Sequence, residues 1–201
     1  QDDVGFTPLH HAASSGHVAV ARMLLEAGAE VNSANCEKRT PLLPTAFDGC
    51  TATVRLLVES GADVNSADIK GKTLLHYAAQ LGNVAIIELL LDHGADINAR
   101  SPDGGSMLTL AVASGNEVVA EFALKNKGLS RQLGCQYGQS ALSIAAALGN
   151  EAIISLLLQY GANPNNHDTK SGNTPITYAI RRGSPKIVAM LLQHGACVEL
   201  P

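Results

Sequence analysis

The chain is periodic. A Thr or Ser opening a small-residue, apolar stretch recurs at Thr7, Thr40, Thr73, Ser106, Ser140 and Thr174, in steps of 33, 33, 33, 34 and 34 residues. Glycines in the middle of each unit keep the same steps: Gly16, Gly49, Gly82, Gly115, Gly149 and Gly183. The stretch from Lys70 to Asn98, KGKTLLHYAAQLGNVAIIELLLDHGADIN, shows the unit at its most regular. It reads as a short helix from Thr73, a Gly82-Asn83 turn, an apolar second helix closing at Gly94, and an exit through Ala95-Asp96-Ile97-Asn98. One such unit cannot bury its own apolar faces, so the copies must stack, each touching only its neighbours. An aromatic content of 3% with no Trp agrees with cores of Ala and Leu between close helices.

Local signals place the helix ends. Thr7 is an N-cap and Pro8 the first helical residue, where a missing N–H costs nothing. Val18, Val20, Ala21, Leu24 and Leu25 give the second helix of the first unit a broad apolar face, and Gly28 caps it in the left-handed conformation. The second unit departs from this pattern. Thr40-Pro41-Leu42-Leu43-Pro44-Thr45-Ala46 places a second proline in the first helix, which must be short or strained. Lys38 stands where Gly5, Gly71 and Gly104 mark the other turns. In the fourth unit Ser106-Met107 replaces Thr-Pro, and Lys125 to Arg131 replaces the usual exit, so the turn near Lys127–Gly134 is expected to be the least regular. Asn126 or Gly128 is the candidate cap there.

The period of 33 together with Thr7-Pro8-Leu9-His10, Thr73-Leu74-Leu75-His76 and their relatives resembles the ankyrin-repeat family over essentially the whole chain. The resemblance implies an all-α solenoid of stacked helix–turn–helix units with protruding β-turn fingers. It implies one domain over residues 1–201, with repeats at about 2–34, 35–67, 68–100, 101–133, 134–167 and 168–201. It also implies that the motif histidines bond to loop backbone and tie adjacent turns together. The chain starts with Gln and stops soon after its sixth repeat, which suggests a piece of a longer protein.

Catalytic chemistry finds no foothold. No phosphate-binding, nucleophile-elbow or zinc-protease motif occurs, so no cofactor and no metal are expected and the chain reads as a non-enzyme. His10 and His11 are adjacent and point to different helix faces, a poor metal pair. Glu30, Asp63 and Asp96 recur before a β-branched residue and Asn, as turn formers. A net charge of -4 opposes a nucleic-acid groove. Cys36, Cys50, Cys135 and Cys197 are far apart, without metal spacing, and read as reduced thiols of a cytoplasmic or nuclear protein. No run of about eighteen apolar residues could span a membrane, although a parent protein could be membrane-associated.

A surface remains, and the expected function is non-catalytic binding of a protein or peptide. The alternative is a regulatory or sensor arm of a larger enzyme, receptor or channel. By resemblance, the concave groove lies one, three and four residues before each repeat Thr/Ser and just before each mid-repeat Gly. Those positions hold Phe6, Arg39, Phe47, Lys70 and Lys72 in the first three repeats, with Leu81 after them. They hold Tyr137, Leu148, Arg181 and Arg182 in the last two. Binding is expected across repeats two to five, with Arg39, Lys70 and Lys72 favouring acidic partners. The apolar final helix, with Ile187, Val188, Met190, Leu191 and Leu192, suggests a missing cap or self-association through the C-terminal repeat. Asn32, Asn65 and Asn98 each follow an acid and a β-branched residue. The resemblance implies that this Asn can be β-hydroxylated, Asn65 first, although a hydrogen bond across its own turn explains it as well. Asn165, lacking the acid, is expected to be a poor substrate.

Overall fold

A computed structural model describes residues 2–126, 135–136, 139–169 and 171–198. Its described residues form twelve short helices and one two-stranded hairpin. The chain divides into two compact units, residues 1–97 and 98–201.

The first unit holds α1 (Pro8–Ser14), α2 (Val18–Glu26), α3 (Thr45–Asp48), α4 (Thr51–Glu59), α5 (Leu74–Leu81) and α6 (Val84–Asp92). The odd-numbered helices pack on one another, as do the even-numbered ones, so three helix pairs stack in sequence order. Ala12, Ala13, Ala46, Ala78 and Ala79 are buried between first helices, where a larger side chain would hold the backbones apart. Leu57, Ile86, Ile87 and Leu90 fill the space between second helices. The second unit repeats the plan with α7 (Met107–Ala113), α8 (Glu117–Lys125), α9 (Ala141–Leu148), α10 (Glu151–Gln159), α11 (Pro175–Arg182) and α12 (Pro185–Gln193). Its core is Met107, Leu108, Val119, Leu142, Ile153, Leu157, Ile187 and Leu191.

Thr7 caps α1 as its sequence requires, accepting from the His10 amide while the His10 ring accepts from the Thr7 amide. The reciprocal pair recurs at Thr73 and His76. Gly28 closes α2 with φ of +89°. Pro44 has the expected effect. It cannot donate to Thr40, and the segment turns tightly through Leu43 N to Thr40 O, Thr45 N to Leu42 O and Ala46 N to Leu43 O, so that α3 keeps only four residues. Asn126 ends α8 in an extended conformation, so it is no left-handed cap. Gly128 and the turn at Lys127–Gly134 lie outside the described residues.

Between helix pairs the chain juts out as a finger. In the third repeat Asp68 N donates to Lys72 O at 3.0 Å and Gly71 N to Asp68 O at 2.8 Å. The Asp68 carboxylate then accepts from the amides of Lys70 and Lys72, which fixes the loop from inside. Asn35 does the same for Glu37 and Arg39, and Asp2 for Val4 and Phe6. Cys36 N donates to Val4 O and Ile69 N to Glu37 O, so the first three fingers stand side by side. In the second unit β1 (Cys135–Gln136) and β2 (Gln139–Ser140) pair antiparallel.

Candidate protein-interaction site

The residues expected to bind a partner separate into a gathered group and scattered ones. In the first unit the Phe47 ring lies 5.6 Å from that of Tyr77, and the Lys72 ammonium is 6.0 Å from the Tyr77 ring. The finger hydrogen bond from Ile69 to Glu37 sets the finger that carries Arg39 beside the one that carries Lys70 and Lys72. Phe47, Ile69 and Leu81 are 63%, 66% and 50% exposed, although each is large and apolar. Arg39 holds Glu37 at 3.0 Å.

Beneath this surface lies a pair that the sequence reading did not find. The Tyr77 hydroxyl donates to the buried Asp68 carboxylate at 2.6 Å. Burial, and then this hydrogen bond, push the Tyr77 hydroxyl up to about 12. Burial alone would raise the Asp68 carboxyl. The Tyr77 hydroxyl and the Lys72 and Lys70 amides outweigh it and hold that group below the usual carboxylate range. The arrangement recurs where Tyr178 donates to Asp168 at 2.7 Å and receives Gln139 Nε2 at 2.6 Å. It is mimicked by His11 and Asp2 at 3.2 Å. The signal available in sequence was the series Asp2, Asn35, Asp68, set 33 residues apart and paired with position four of each first helix. In the second repeat that position is Pro44, and Asn35 Nδ2 is buried without a partner.

The other expected contacts are distributed elsewhere. Phe6 is half-buried, its ring edge-on to His10 at 5.4 Å. Leu148, Arg181 and Arg182 are exposed in the second unit. Arg182 lies against Gly149, where a Cβ would come within 2.1 Å of its Nε, and donates to Ala147 O at 3.0 Å. Its guanidinium therefore neutralises the carbonyl end of α9. Tyr137 lies outside the described residues.

The histidines behave structurally. His10 is fully buried, and its Nε2 contacts Arg39 O at 2.9 Å, tying the first repeat to the second finger. His93 and His194 close their own helix ends on Leu89 O and Met190 O. Among the described residues no cluster of three or more His, Cys, Asp or Glu could hold a metal ion. Cys36, Cys50 and Cys197 are free thiols.

The asparagines expected to bond across their own turns reach further. Asn32 donates to Gly61 O at 3.0 Å and accepts from Asp63 N at 2.9 Å, both in the next repeat. Asn65 does the same with Gly94 and Asp96, and Asn165 with Gly195 and Cys197. The within-turn task belongs to the preceding residue. Asp63 accepts from Asn65 N, and Asn163 replaces it before Asn165. The expected self-associating helix α12 buries Ile187 and Leu191 and leaves Leu192 exposed.

Each unit is thus a stack of helix pairs joined by projecting turns, a class whose shared chemistry is recognition by surface. Family models for ankyrin repeats match residues 4–36, 32–101 and 108–201, and the chain belongs to the ankyrin-repeat family. It is similar to the ankyrin repeat domain of Bcl-3, of the IkappaB family, at 29% identity and a TM-score of 0.85, over 98% of this chain and 90% of that one. An ankyrin repeat domain from Acinetobacter baumannii AYE matches at 31% identity and a TM-score of 0.85, over 94% and 98%. A 34-residue stretch is 62% identical to the integrin-linked protein kinase homolog pat-4 of Caenorhabditis elegans, covering 17% of this chain and 7% of that protein. No described helix is long and apolar enough to cross a membrane.

Proposed function

We propose that the chain is a non-catalytic interaction module which binds a protein or peptide on its fingers and first helices. The carrying observation is the exposed Phe47 ring against Tyr77, with the Lys72 ammonium 6.0 Å from the Tyr77 ring and Ile69 exposed on the finger that bears Lys70 and Lys72. Interfaces concentrate their energy in aromatic and Arg side chains set among apolar neighbours. The test is selection of 12-residue peptides from an unbiased random library against the full chain, followed by amide-hydrogen exchange of the bound protein. Protection on the fingers and on α3 and α5 is the expected result. Protection on α2, α4 and α6 would show the wrong face, and an empty selection would remove the reading.

A second reading, an arm of a larger enzyme, receptor or channel, is favoured by the short match to a kinase homolog far longer than the matched segment. Sequencing the flanks of the gene tests it. A cytoplasmic or nuclear location accords with the free thiols. One continuous array of six repeats accords with the unbroken period. Self-association through the C-terminal repeat has narrower support, from Leu192 and Val198, and sedimentation of L192E against the parent checks it. The paired bonds of Asn32 and Asn65 support a structural role over β-hydroxylation of these residues or of Asn98. Mass spectrometry after incubation with a 2-oxoglutarate-dependent asparaginyl hydroxylase decides between the two.

A further inference from the structure

The first unit as a whole is acidic, with twelve Asp and Glu against six Lys and Arg in residues 1–97. Four of those six cations, Lys38, Arg39, Lys70 and Lys72, sit on two adjacent fingers. Opposing acids are few at that place. Glu37 is held by Arg39, and Asp68 is buried and spent on Tyr77 and its own finger amides. Asp48, exposed beside Phe47, and Asp3, exposed on the neighbouring first finger, are the other carboxylates nearest in the fold. Lys38, Lys70 and Lys72 form no ion pair among the described residues.

Lys38 adds an independent observation. It has φ of +59°, and no other described non-glycine residue has a positive φ. The equivalent finger positions hold Gly5, Gly71, Gly104 and Gly172, which take that conformation freely. A side chain in the left-handed region costs stability, and strain of this kind points towards use. What the strain provides here is one more exposed cation at the finger tip.

We propose that the fingers of repeats two and three receive an acidic polypeptide segment which sets one apolar side chain on the step formed by Phe47 and Tyr77. The proposal rests on the interaction reading above and specifies the partner's chemistry. The rim of Lys38, Lys70 and Lys72, with Arg39 already shared with Glu37, supplies attraction and register for the carboxylates. Phe47, exposed against the Tyr77 ring, supplies the area that an apolar side chain would cover. A basic segment would meet like charge at every finger cation, so the site discriminates by repulsion as well as by attraction.

The probe is a fluorescein-labelled 12-residue peptide of Glu, Asp, Gly and Ser with one central Phe. Its controls replace Glu and Asp by Lys, or the central Phe by Ser. The full chain is expected to bind the acidic peptide at least tenfold more tightly than either control. F47A should weaken binding about 30-fold and the pair K70E and K72E at least tenfold, all three residues being outside the core. K38G should weaken binding about threefold while raising the melting temperature, a combination that a purely structural role for Lys38 would not give. Equal binding of acidic and basic peptides, or indifference to F47A and to the charge reversals, overturns the proposal. Library peptides that bind the fingers without acidic character would leave the interaction module standing and remove only this partner.

Discussion

His10 shows how much one side chain ties together. The Thr7 amide can only donate, so His10 Nδ1 is the acceptor and Nε2 carries the hydrogen that goes to Arg39 O. A second proton on Nδ1 would break the cap. Burial pushes the imidazole below its ordinary value, against the opposing effect of the Arg39 carbonyl. In the unfolded chain the same ring takes up a proton near pH 6.5. The folded state then binds fewer protons than the unfolded one, so stability is complete above pH 6.5 and falls as the pH drops through it. Imidazole NMR should give His10 a midpoint below 6.5, and a midpoint at or above that value would contradict the argument. The roles of Thr7, His10 and Gly28 were legible in the sequence because each acts within its own turn or at a fixed repeat offset. The pairing of Tyr77 with Asp68 was not. Nine positions separate the two residues, and only the folded finger aims the carboxylate at the hydroxyl.

At the level of helices, the second repeat is where one missing side chain alters an element. Pro44 shortens α3 and also removes the group that, in the third repeat, satisfies the finger residue. Asn35 Nδ2 is left buried and unpaired as a consequence. Installing both members of the pair, N35D with P44Y, should couple favourably by about 2 kcal/mol in a double-mutant cycle read by urea unfolding. Additivity within about 0.5 kcal/mol would show that the pair had not formed. A second comparison uses the period itself. Met23, Leu56 and Leu89 occupy one repeat position, yet Met23 is 68% exposed while Leu56 and Leu89 are buried. L56A should therefore cost about 3 kcal/mol and M23A less than about 0.5 kcal/mol. Exposed apolar surface, expected on α12, is present on α2 as well, at Val20 and Met23. The two helices carry the same apolar pattern as the interior ones, and pattern alone does not say which copy has a neighbour on each side.

On the scale of the whole molecule, charge works in two directions at once. The chain carries a net charge of -4, and its first unit is more acidic still, so an acidic partner approaching from a distance is repelled. Close to the fingers of repeats two and three it meets Lys38, Lys70 and Lys72 instead. Screening separates the two effects, because the Debye length is about 30 Å at 0.01 M salt, about 10 Å at 0.1 M and about 3 Å at 1 M. At the lowest salt the distant acids act along with the rim. Near 0.1 M they are screened, while contacts at a few ångströms survive. At still higher salt the contacts are screened too. The affinity of the acidic peptide should accordingly rise between about 10 mM and 100 mM salt and fall above about 500 mM. Fluorescence anisotropy across that range measures it. In the K70E and K72E variant repulsion outweighs the attraction that Lys38 still supplies, and binding should strengthen steadily with salt. A parent protein whose affinity falls continuously from the lowest salt would show the rim prevailing at every distance, contrary to a balance set by the acidic remainder of the molecule.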